Sequence, residues 1–184
     1  MKVLVACEFS GVVRDAFTKA GHNATSCDLI PSETPGNHII GNCLDYLDDD
    51  YDMLIAHPPC TYLTNCGVRY LHTQKDRWGK MLEAKEFFMT LYNCDIPKIC
   101  IENPVPHSYA SLPPYTQIIQ PYYFGDAYKK RTCLWLKNLK PLEPTNIVKV
   151  LPYVSEWVGT VKRTAKDRSR TFPGIANAMA QQWG

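Results

Sequence analysis

Short apolar runs alternate with segments of helical periodicity along the first half of the chain. The runs have the length and composition of strands and lie at residues 2–6, 23–29, 38–40, 51–56 and 97–101. Helical spacing predicts one helix from a small-residue turn at 7–11 to about residue 20, and a second, capped by Asp76, to about Asn93. This alternation favours a mostly parallel, doubly wound α/β sheet.

The second half of the chain follows a different pattern. Residues 115–120 and 132–136 have strand character with no long helix between them, which predicts an antiparallel hairpin at one edge of the sheet. Residues 137–170 are rich in proline and basic side chains and show no clean period, and a short helix is predicted over 175–182. The apolar stripe of the second helix is interpreted as core packing by Trp78, Met81, Leu82, Phe88, Met89 and Tyr92.

Length and composition limit the class of protein. With 184 residues, 45% of them hydrophobic, the chain can form one domain over 1–184. No apolar stretch approaches the roughly 20 residues of a membrane span, and Met1-Lys2 leads directly into a strand, so we expect a cytoplasmic protein with no membrane association. The eight cysteines contain no Cys-x-x-Cys pair. We interpret them as reduced thiols and expect no bound metal.

Charge is unevenly distributed along the chain. The net charge is +2, but eleven Lys or Arg and three Asp or Glu lie between Lys129 and Arg170, which gives +8 there and −6 elsewhere. A basic segment on an acidic body is typical of a surface that faces a polyanion, and a solvated basic face fits equally well. The residues predicted to contact phosphates are Lys129, Lys130, Lys162, Arg163, Lys166, Arg168 and Arg170.

A thiol and a carboxylate follow two neighbouring strands of the predicted sheet. The run at 51–56 leads into HPPC, which ends at Cys60, and the run at 97–101 ends at Glu102. The prolines stiffen the chain as it leaves the sheet, so Cys60 is held at the edge where open α/β sheets bind ligands. A carboxylate beside a thiolate does not suit a Cys-His hydrolase. It suits an acid that hydrogen-bonds the substrate.

These residues resemble the cytosine-5 DNA methyltransferase family, which uses S-adenosylmethionine, and the likeness covers most of the chain in the family's motif order. Pro59-Cys60 matches the family's nucleophile motif, Glu102-Asn103 its Glu-Asn motif, and Arg131 one arginine of its Gln-x-Arg-x-Arg motif. The compact form is similar to orphan methyltransferase-like proteins carried by phages and prophages. The resemblance implies a Rossmann-like S-adenosylmethionine-dependent methyltransferase fold and, for a phage protein, the cytoplasm of the host cell.

The resemblance also implies a cofactor site. Residues 9–11 are similar to the family's F-x-G turn, although Gly11 is followed by Val-Val-Arg14 and not by further glycines. Asp28 falls at the position of the ribose-binding acid, and an ordinary turn acid gives the same pattern. The residues implied to bind S-adenosylmethionine are Phe9, Ser10, Gly11, Asp28, Leu29, Asn42, Cys43, Pro58, Asn177 and Met179.

The chemistry implied by the resemblance is thiol addition to cytosine. Cys60 adds to C6 so that C5 can accept a methyl group, Glu102 hydrogen-bonds N3 and the exocyclic amine, and Arg131 contacts the O2 edge or a phosphate. The target base must be flipped out of a duplex or be unpaired. Glu102 as a capping or surface acid, and Arg131 as a member of the basic stretch, are the alternatives. His57 and His107 flank the site and are assigned no catalytic role.

The segment after Arg131 is too short for the target-recognition domain that family members usually insert, because only about forty-five residues separate it from Asn177. We expect residues 137–170 to replace that domain as a basic insert, with weak sequence readout or readout from a second subunit or partner. Trp157 or Tyr153 could fill the space of a flipped base or pack in the core. DNA methylation, methylation of a pyrimidine nucleotide, and silent binding of nucleic acid or cofactor all stay open.

Overall fold

The computed structural model describes residues 1–68, 70–150 and 164–184. Within these residues seven strands form one sheet: β1 (Lys2–Ala6), β2 (Asn23–Asp28), β3 (His38–Ile40), β4 (Met53–Ala56), β5 (Lys98–Pro104), β6 (Gln117–Ile119) and β7 (Thr132–Lys137). Their order across the sheet is β3-β2-β1-β4-β5-β7-β6. The order reverses between β1 and β4, which is where ligands bind in doubly wound sheets.

Strand direction agrees with the sequence pattern. β1 to β5 pair in parallel, whereas β7 is antiparallel to both β5 and β6. β6 therefore runs in the same direction as β1 to β5, and β7 is inserted between β5 and β6. The prediction of a mostly parallel, doubly wound α/β sheet with an antiparallel hairpin at one edge is confirmed.

Helices cover both faces of the sheet. They are α1 (Val12–Lys19), α2 (Asn65–Val68), α3 (Arg77–Asn93), α4 (Ala165–Ser169) and α5 (Pro173–Trp183). Successive side chains of a strand point to opposite faces, so Val3 and Val5 of β1 pack in the layer of α1 and α5. Leu4 and Ala6 pack in the layer of α3 on the other face. Each layer buries its own apolar cluster.

The structure corrects part of the interpretation of α3. Met81 and Phe88 are buried as predicted, but Trp78 and Leu82 are exposed, so the periodic stripe is not wholly a packing surface. Asp76 precedes the helix with a left-handed backbone and makes no side-chain capping bond, so the predicted cap is wrong. Helices α2 and α4 span about one turn each, which is too short for periodicity to reveal.

No helix in the described residues combines the length and apolar character needed to cross a membrane.

Candidate active site

β4 and β5 bring the predicted nucleophile and acid to one edge of the sheet. The two strands run parallel and pair Ala56 with Ile101. The residues that follow these two, His57 and Glu102, therefore lie side by side at this edge. Cys60 follows in the same loop as His57. This edge holds the carboxyl ends of the parallel strands, where open α/β sheets bind their ligands.

Hydrogen bonds join the loop after β4 to the end of β5. His57 Nδ1 lies 3.0 Å from Glu102 Oε2, and the side-chain amide of Asn103 donates to the carbonyl oxygen of Pro58 at 2.7 Å. Cys60 is half-buried two residues further along this loop. The loop that carries Cys60 is therefore fixed to the strand that carries Glu102.

The His57–Glu102 pair lies in a dry environment, with side chains 7% and 13% exposed. Burial raises the pKa of Glu102, but the hydrogen bond from His57 and the positive charges of Lys130 and His57 outweigh burial, so this pKa lies below its usual value. Glu102 is therefore ionised near neutral pH. Among the described residues, His57 Nε2 and Asn103 Oδ1 are buried side-chain atoms without a hydrogen-bond partner. Such atoms are rare in native proteins and call for an explanation.

A second buried carboxylate, Glu8, lies in the turn after β1. Its oxygens accept the backbone N–H groups of Val13 and Arg14 at 2.6 and 3.2 Å, at the start of α1. The hydroxyl of Ser10 donates to the same carboxylate at 3.4 Å. Burial holds the pKa of Glu8 above its usual value, and the charge of His57 and the bonds to α1 only partly offset this rise. Glu8 therefore caps the N-terminus of α1, and the charge of His57 also lowers its pKa.

A cavity of about 560 Å³ opens at the carboxyl ends of β1 to β4. Four of the residues predicted to bind the cofactor line it: Asp28, Leu29, Asn42 and Cys43. Asp28 is the last residue of β2, and the exposed side chain of Leu29 follows it. The other lining residues come from the neighbouring strand ends and from α3, namely Cys7, Cys27, Gly41, Pro59, Tyr62, Lys80, Glu83, Ala84 and Phe87. Sequence reasoning assigns no role in this cavity to α3.

The remaining predicted cofactor residues do not line this cavity. Ser10 and Gly11 are buried in the turn after β1, where Gly11 adopts a left-handed backbone with φ of 74°. Pro58 lies beside the cavity, whose lining includes its neighbour Pro59 instead. Met179 on α5 is fully buried in the apolar layer formed with α1. Asn177 lies on the same helix and is exposed.

The cavity is lined by three thiols, those of Cys7, Cys27 and Cys43. The sulfur atoms of Cys7 and Cys43 are 3.8 Å apart, and their hydrogen bond raises the pKa of Cys7 and lowers that of Cys43. Burial raises the pKa of Cys27 to about 11. The described residues include no group of three His, Cys, Asp or Glu side chains arranged to hold a metal ion.

Part of the predicted phosphate-binding set is engaged within the protein. Lys166 and Arg170 form ion pairs with Glu33 at 2.9 and 2.8 Å. Both cations also lie over the ring of Phe9, at 5.1 and 6.0 Å from its centroid. Hydrogen bonds to Glu33 lower its pKa to about 2, and the bond from Arg170 has a larger effect than the bond from Lys166. This ion-pair cluster packs α4 and the residue after it against the turn that carries Phe9.

The other basic residues divide between exposed and engaged positions. Lys129, Arg131 and Arg168 are exposed, whereas Lys130 Nζ donates to the carbonyl oxygen of Arg168 at 3.1 Å. The charge of Lys130 acts on Glu102, and that of Arg131 acts on Cys133. Lys130 is therefore the cation coupled to the predicted acid. The predictions that fall on Tyr153, Trp157, Lys162 and Arg163 lie outside the described residues.

The sequence places His57 at the flank of the site, but it does not predict the contact of His57 with Glu102. The signal that finds it is strand register: once β4 and β5 are parallel neighbours, the residue after Ala56 lies beside the residue after Ile101. Register follows from pairing across the sheet, which a single sequence does not display. Lys130 is predicted to contact phosphates, but its effect on Glu102 is missed for the same reason, because its position depends on β7 pairing with β5.

Comparison with known proteins adds the fold family. No family model and no curated relative matches the chain. A prophage-encoded E. coli protein described as a DNA modification methyltransferase superposes with a TM-score of 0.51 at 12% identity, over 81% of this chain and 52% of its own. The Entamoeba histolytica methyltransferase EhMeth gives a TM-score of 0.51 at 12% identity, over 82% of this chain and 57% of its own. The chain shares the Rossmann-like fold of these two methyltransferases.

This chain spans a little over half the length of the two solved methyltransferases. Within the Rossmann-like methyltransferase fold, the cavity and the His57–Glu102 pair share the ligand-binding edge of the sheet. An identity of 12% shows the fold alone. The substrate has to be argued from the residues at this edge.

Proposed function

We propose that the protein transfers a methyl group from S-adenosylmethionine to C5 of cytosine in DNA. The proposal is carried by the hydrogen bonds of His57 to Glu102 and of Asn103 to Pro58, which hold the Cys60 loop against the acid-bearing strand. A thiol and a carboxylate at one edge of the sheet are the groups that thiol addition to a pyrimidine ring requires. The methyltransferase fold supports this assignment.

The residues that line the cavity fit S-adenosylmethionine. Asp28 places a carboxylate at the end of β2, where it can accept hydrogen bonds from ribose hydroxyls. Leu29 exposes a large apolar side chain to solvent at the cavity wall, and Phe87 lines the same cavity from α3, so both can cover an adenine ring. When bound, the cofactor supplies an electrophilic methyl group. We assign its ribose to Asp28 and its adenine to the wall formed by Leu29, Asn42 and Cys43.

The proposed reaction begins on the ring of the target cytosine. The Cys60 thiolate forms a bond to C6, and the ring electrons move toward N3 and C5. Glu102 Oε2 faces His57, and we assign Oε1 to the pyrimidine. Because Glu102 is ionised before cytosine binds, it takes up one solvent proton together with the base and shares that proton with N3, which neutralises N3 as Cys60 adds. C5 would then form a bond to the methyl group as the methyl–sulfur bond of the sulfonium breaks, which leaves a neutral thioether. A base removes the proton from C5, the electron pair restores the C5–C6 double bond, and the Cys60 thiolate leaves. The proton shared with N3 returns to solvent when the adduct breaks down.

The proposed nucleic-acid surface includes the exposed cations Lys129, Arg131 and Arg168. Their charges can bind phosphates without reading bases, which gives affinity that falls with salt and little sequence preference. We propose that residues 1–184 act as one methyltransferase-like domain in which residues 137–170 replace a target-recognition domain. A second subunit or a partner would then supply further sequence recognition, in the cytoplasm of a phage host.

A methyl-transfer assay tests the proposal. The protein is incubated with S-adenosylmethionine carrying a labelled methyl group and with double-stranded DNA, single-stranded DNA or deoxycytidine monophosphate. We expect label in DNA, recovered as 5-methyldeoxycytidine after digestion to nucleosides. Because the assay identifies the modified nucleoside, it reports the atom that accepts the methyl group as well as the substrate.

The other outcomes each name a different function. Label in the mononucleotide alone shows a pyrimidine nucleotide methyltransferase. Label on an exocyclic amine of adenine or cytosine refutes C5 chemistry. No label in any substrate, with cofactor binding intact, shows a silent binder.

A further inference from the structure

A cluster of aromatic rings, most of them exposed, lies on α3, on the turn before it and on the segment after β5. We name it the aromatic platform and define it by His72, Trp78, His107 and Tyr109. Trp78 and Tyr109 are 43% and 51% exposed, and their ring centroids are 5.8 Å apart. His72 packs edge-on against Trp78 at 5.6 Å, and His107 against Tyr109 at 4.7 Å. The rings support one another and leave much of their surface in solvent.

The aromatic platform is attached to both segments that carry the candidate catalytic residues. Thr64, four residues after Cys60, pairs with Pro106, four residues after Glu102. The backbone N–H of His107 also donates to the carbonyl oxygen of Leu63 at 2.8 Å. The platform therefore lies at the rim of the ligand-binding edge, next to the loop that holds the proposed nucleophile.

Core packing does not account for the platform. The buried side chains of α3 are Met81, Phe88 and Leu91, whereas Trp78 in the first turn is exposed. Isolated exposed apolar residues are common on protein surfaces, but a group of touching exposed rings beside a cleft is typical of a binding site.

The surroundings of the aromatic platform carry positive charge. Lys75 and Lys80 are exposed on either side of Trp78 in the sequence. The guanidinium group of Arg77 lies 4.6 Å from the ring centroid of Tyr62, a residue of the cavity wall. Aromatic rings interleaved with cations are the arrangement that binds single-stranded nucleic acid, because rings stack on bases and cations meet phosphates.

We propose that the aromatic platform binds an unpaired nucleobase of the nucleic acid next to the target base. This inference rests on the proposed function and names the surface that would hold its substrate. Stacking accepts any base, since every base has a π-face. Stacking on the platform would therefore let this chain bind opened DNA without the sequence readout that a target-recognition domain provides.

The test compares two oligonucleotides of equal length and charge, fluorescein-labelled oligo(dT) and an abasic oligomer of about 12 nucleotides, by fluorescence anisotropy without cofactor. We expect wild-type protein to bind oligo(dT) more tightly than the abasic oligomer. Trp78→Ala and Tyr109→Ala should each weaken oligo(dT) binding about tenfold and leave abasic binding unchanged. Tyr115→Ala, which removes an exposed ring outside the platform, is the matched control and should change neither.

Several results overturn the inference. They are equal weakening for both oligomers, no weakening in either platform variant, and wild-type protein that binds neither oligomer. A platform variant that changes the molecular mass in light scattering also overturns it, because it shows a contact between copies of this chain. Base-dependent binding without methyl transfer to any substrate refutes the proposed reaction and leaves the platform standing. Methyl transfer to DNA without base-dependent binding refutes the platform alone.

Discussion

His57 Nδ1 lies 3.0 Å from Glu102 Oε2, and both side chains are almost wholly buried. The contact joins the first residue after β4 to a residue of β5. Burial raises the pKa of Glu102, whereas the hydrogen bond from His57 and the charges of Lys130 and His57 lower it. His57 therefore keeps the proposed catalytic acid ionised in a place where an isolated carboxyl group would hold its proton.

Replacing His57 by Phe should destabilise the protein by about 3 kcal/mol at pH 7, because it leaves a buried carboxylate without its partner. In the wild type the lowered pKa of Glu102 contributes stability that is present above its usual value of 4.5 and is lost as pH falls through the folded-state value. In the variant that pKa rises, so the loss should be largest at neutral pH and smaller at pH 4. Urea unfolding at both pH values measures the difference.

A double-mutant cycle separates this pair from simple packing. His57→Phe should cost less in a Glu102→Gln background, since the neutral amide does not need a cationic or hydrogen-bonding partner to the same degree. Equal costs in both backgrounds, or equal losses at pH 7 and pH 4, would show that His57 acts through shape and not through the charge of Glu102.

Cys60 should form a covalent bond to DNA that contains 5-fluorocytosine. After thiol addition and methyl transfer, C5 carries fluorine in place of hydrogen, so no proton can be removed and the thiolate cannot leave. We expect a protein–DNA adduct by mass spectrometry in the presence of S-adenosylmethionine. Cys60→Ala should abolish both adduct and turnover, while Cys94→Ala, which alters another half-buried thiol, should retain them. An adduct in the Cys60 variant would remove this residue from the mechanism.

The sheet is the part of this protein that its sequence predicts well. Apolar runs such as Met53–Ala56 are buried completely, and a run of that kind is a local pattern that a single sequence displays. Asp28 closes β2 as its spacing from the opening turn indicates. The end of β5 differs by only a few residues, because Glu102 and Asn103 pair with β7 and thereby extend the strand beyond its apolar run.

The polar contacts of the site are the part that its sequence conceals. The bond from His57 to Glu102 spans 45 residues, and the charge of Lys130 reaches Glu102 only because β7 inserts next to β5. Trp78 obeys the helical period of α3 and is nonetheless exposed, since periodicity shows which side chains share a face and not which faces are covered. These features depend on how distant segments pair.

Asp28→Asn should weaken binding of S-adenosylmethionine about tenfold or more, because a hydrogen bond to a charged acceptor contributes more than one to a neutral amide. The side chain lies at the cavity wall, so the fold should be unaffected. Isothermal titration calorimetry measures the affinity. Asp45→Asn, an exposed acid of the neighbouring segment that does not line the cavity, is the control. Unchanged affinity in the Asp28 variant would show that the ribose does not bind to Asp28.

Glu33→Gln should loosen α4 from the turn that carries Phe9, since the carboxylate meets both Lys166 and Arg170. The pKa of Glu33 is lowered to about 2, so its contribution is present above pH 4.5 and is lost as pH falls toward 2. Amide hydrogen exchange in α4 should be faster in the variant at pH 7, and the difference from wild type should shrink near pH 2. Glu143→Gln removes one exposed charge elsewhere and should leave α4 protected.

Arg14 should contribute strongly to stability at the start of α1, where the family resemblance implies further glycines. Its side chain is 1% exposed and donates to the hydroxyls of Ser26 and Ser32 at 3.1 Å and to the carbonyl oxygen of Thr34 at 3.2 Å. These bonds tie α1 to β2 and to the loop that follows β2. Arg14→Met keeps most of the volume but removes all of these bonds and the ion pair with Asp15, so we expect a loss of about 3 kcal/mol in urea unfolding.

Gly36 provides the matched test, because its φ of 149° disfavours a side chain and an added Cβ would lie 2.8 Å from the guanidinium carbon of Arg14. Gly36→Ala should therefore destabilise the wild type by about 1–2 kcal/mol through backbone strain and contact with Arg14. In the Arg14→Met background the contact part should diminish, since an unbranched thioether can move aside. Additive losses would show that Gly36 is required by the backbone alone, and that the guanidinium group does not depend on the space that glycine leaves.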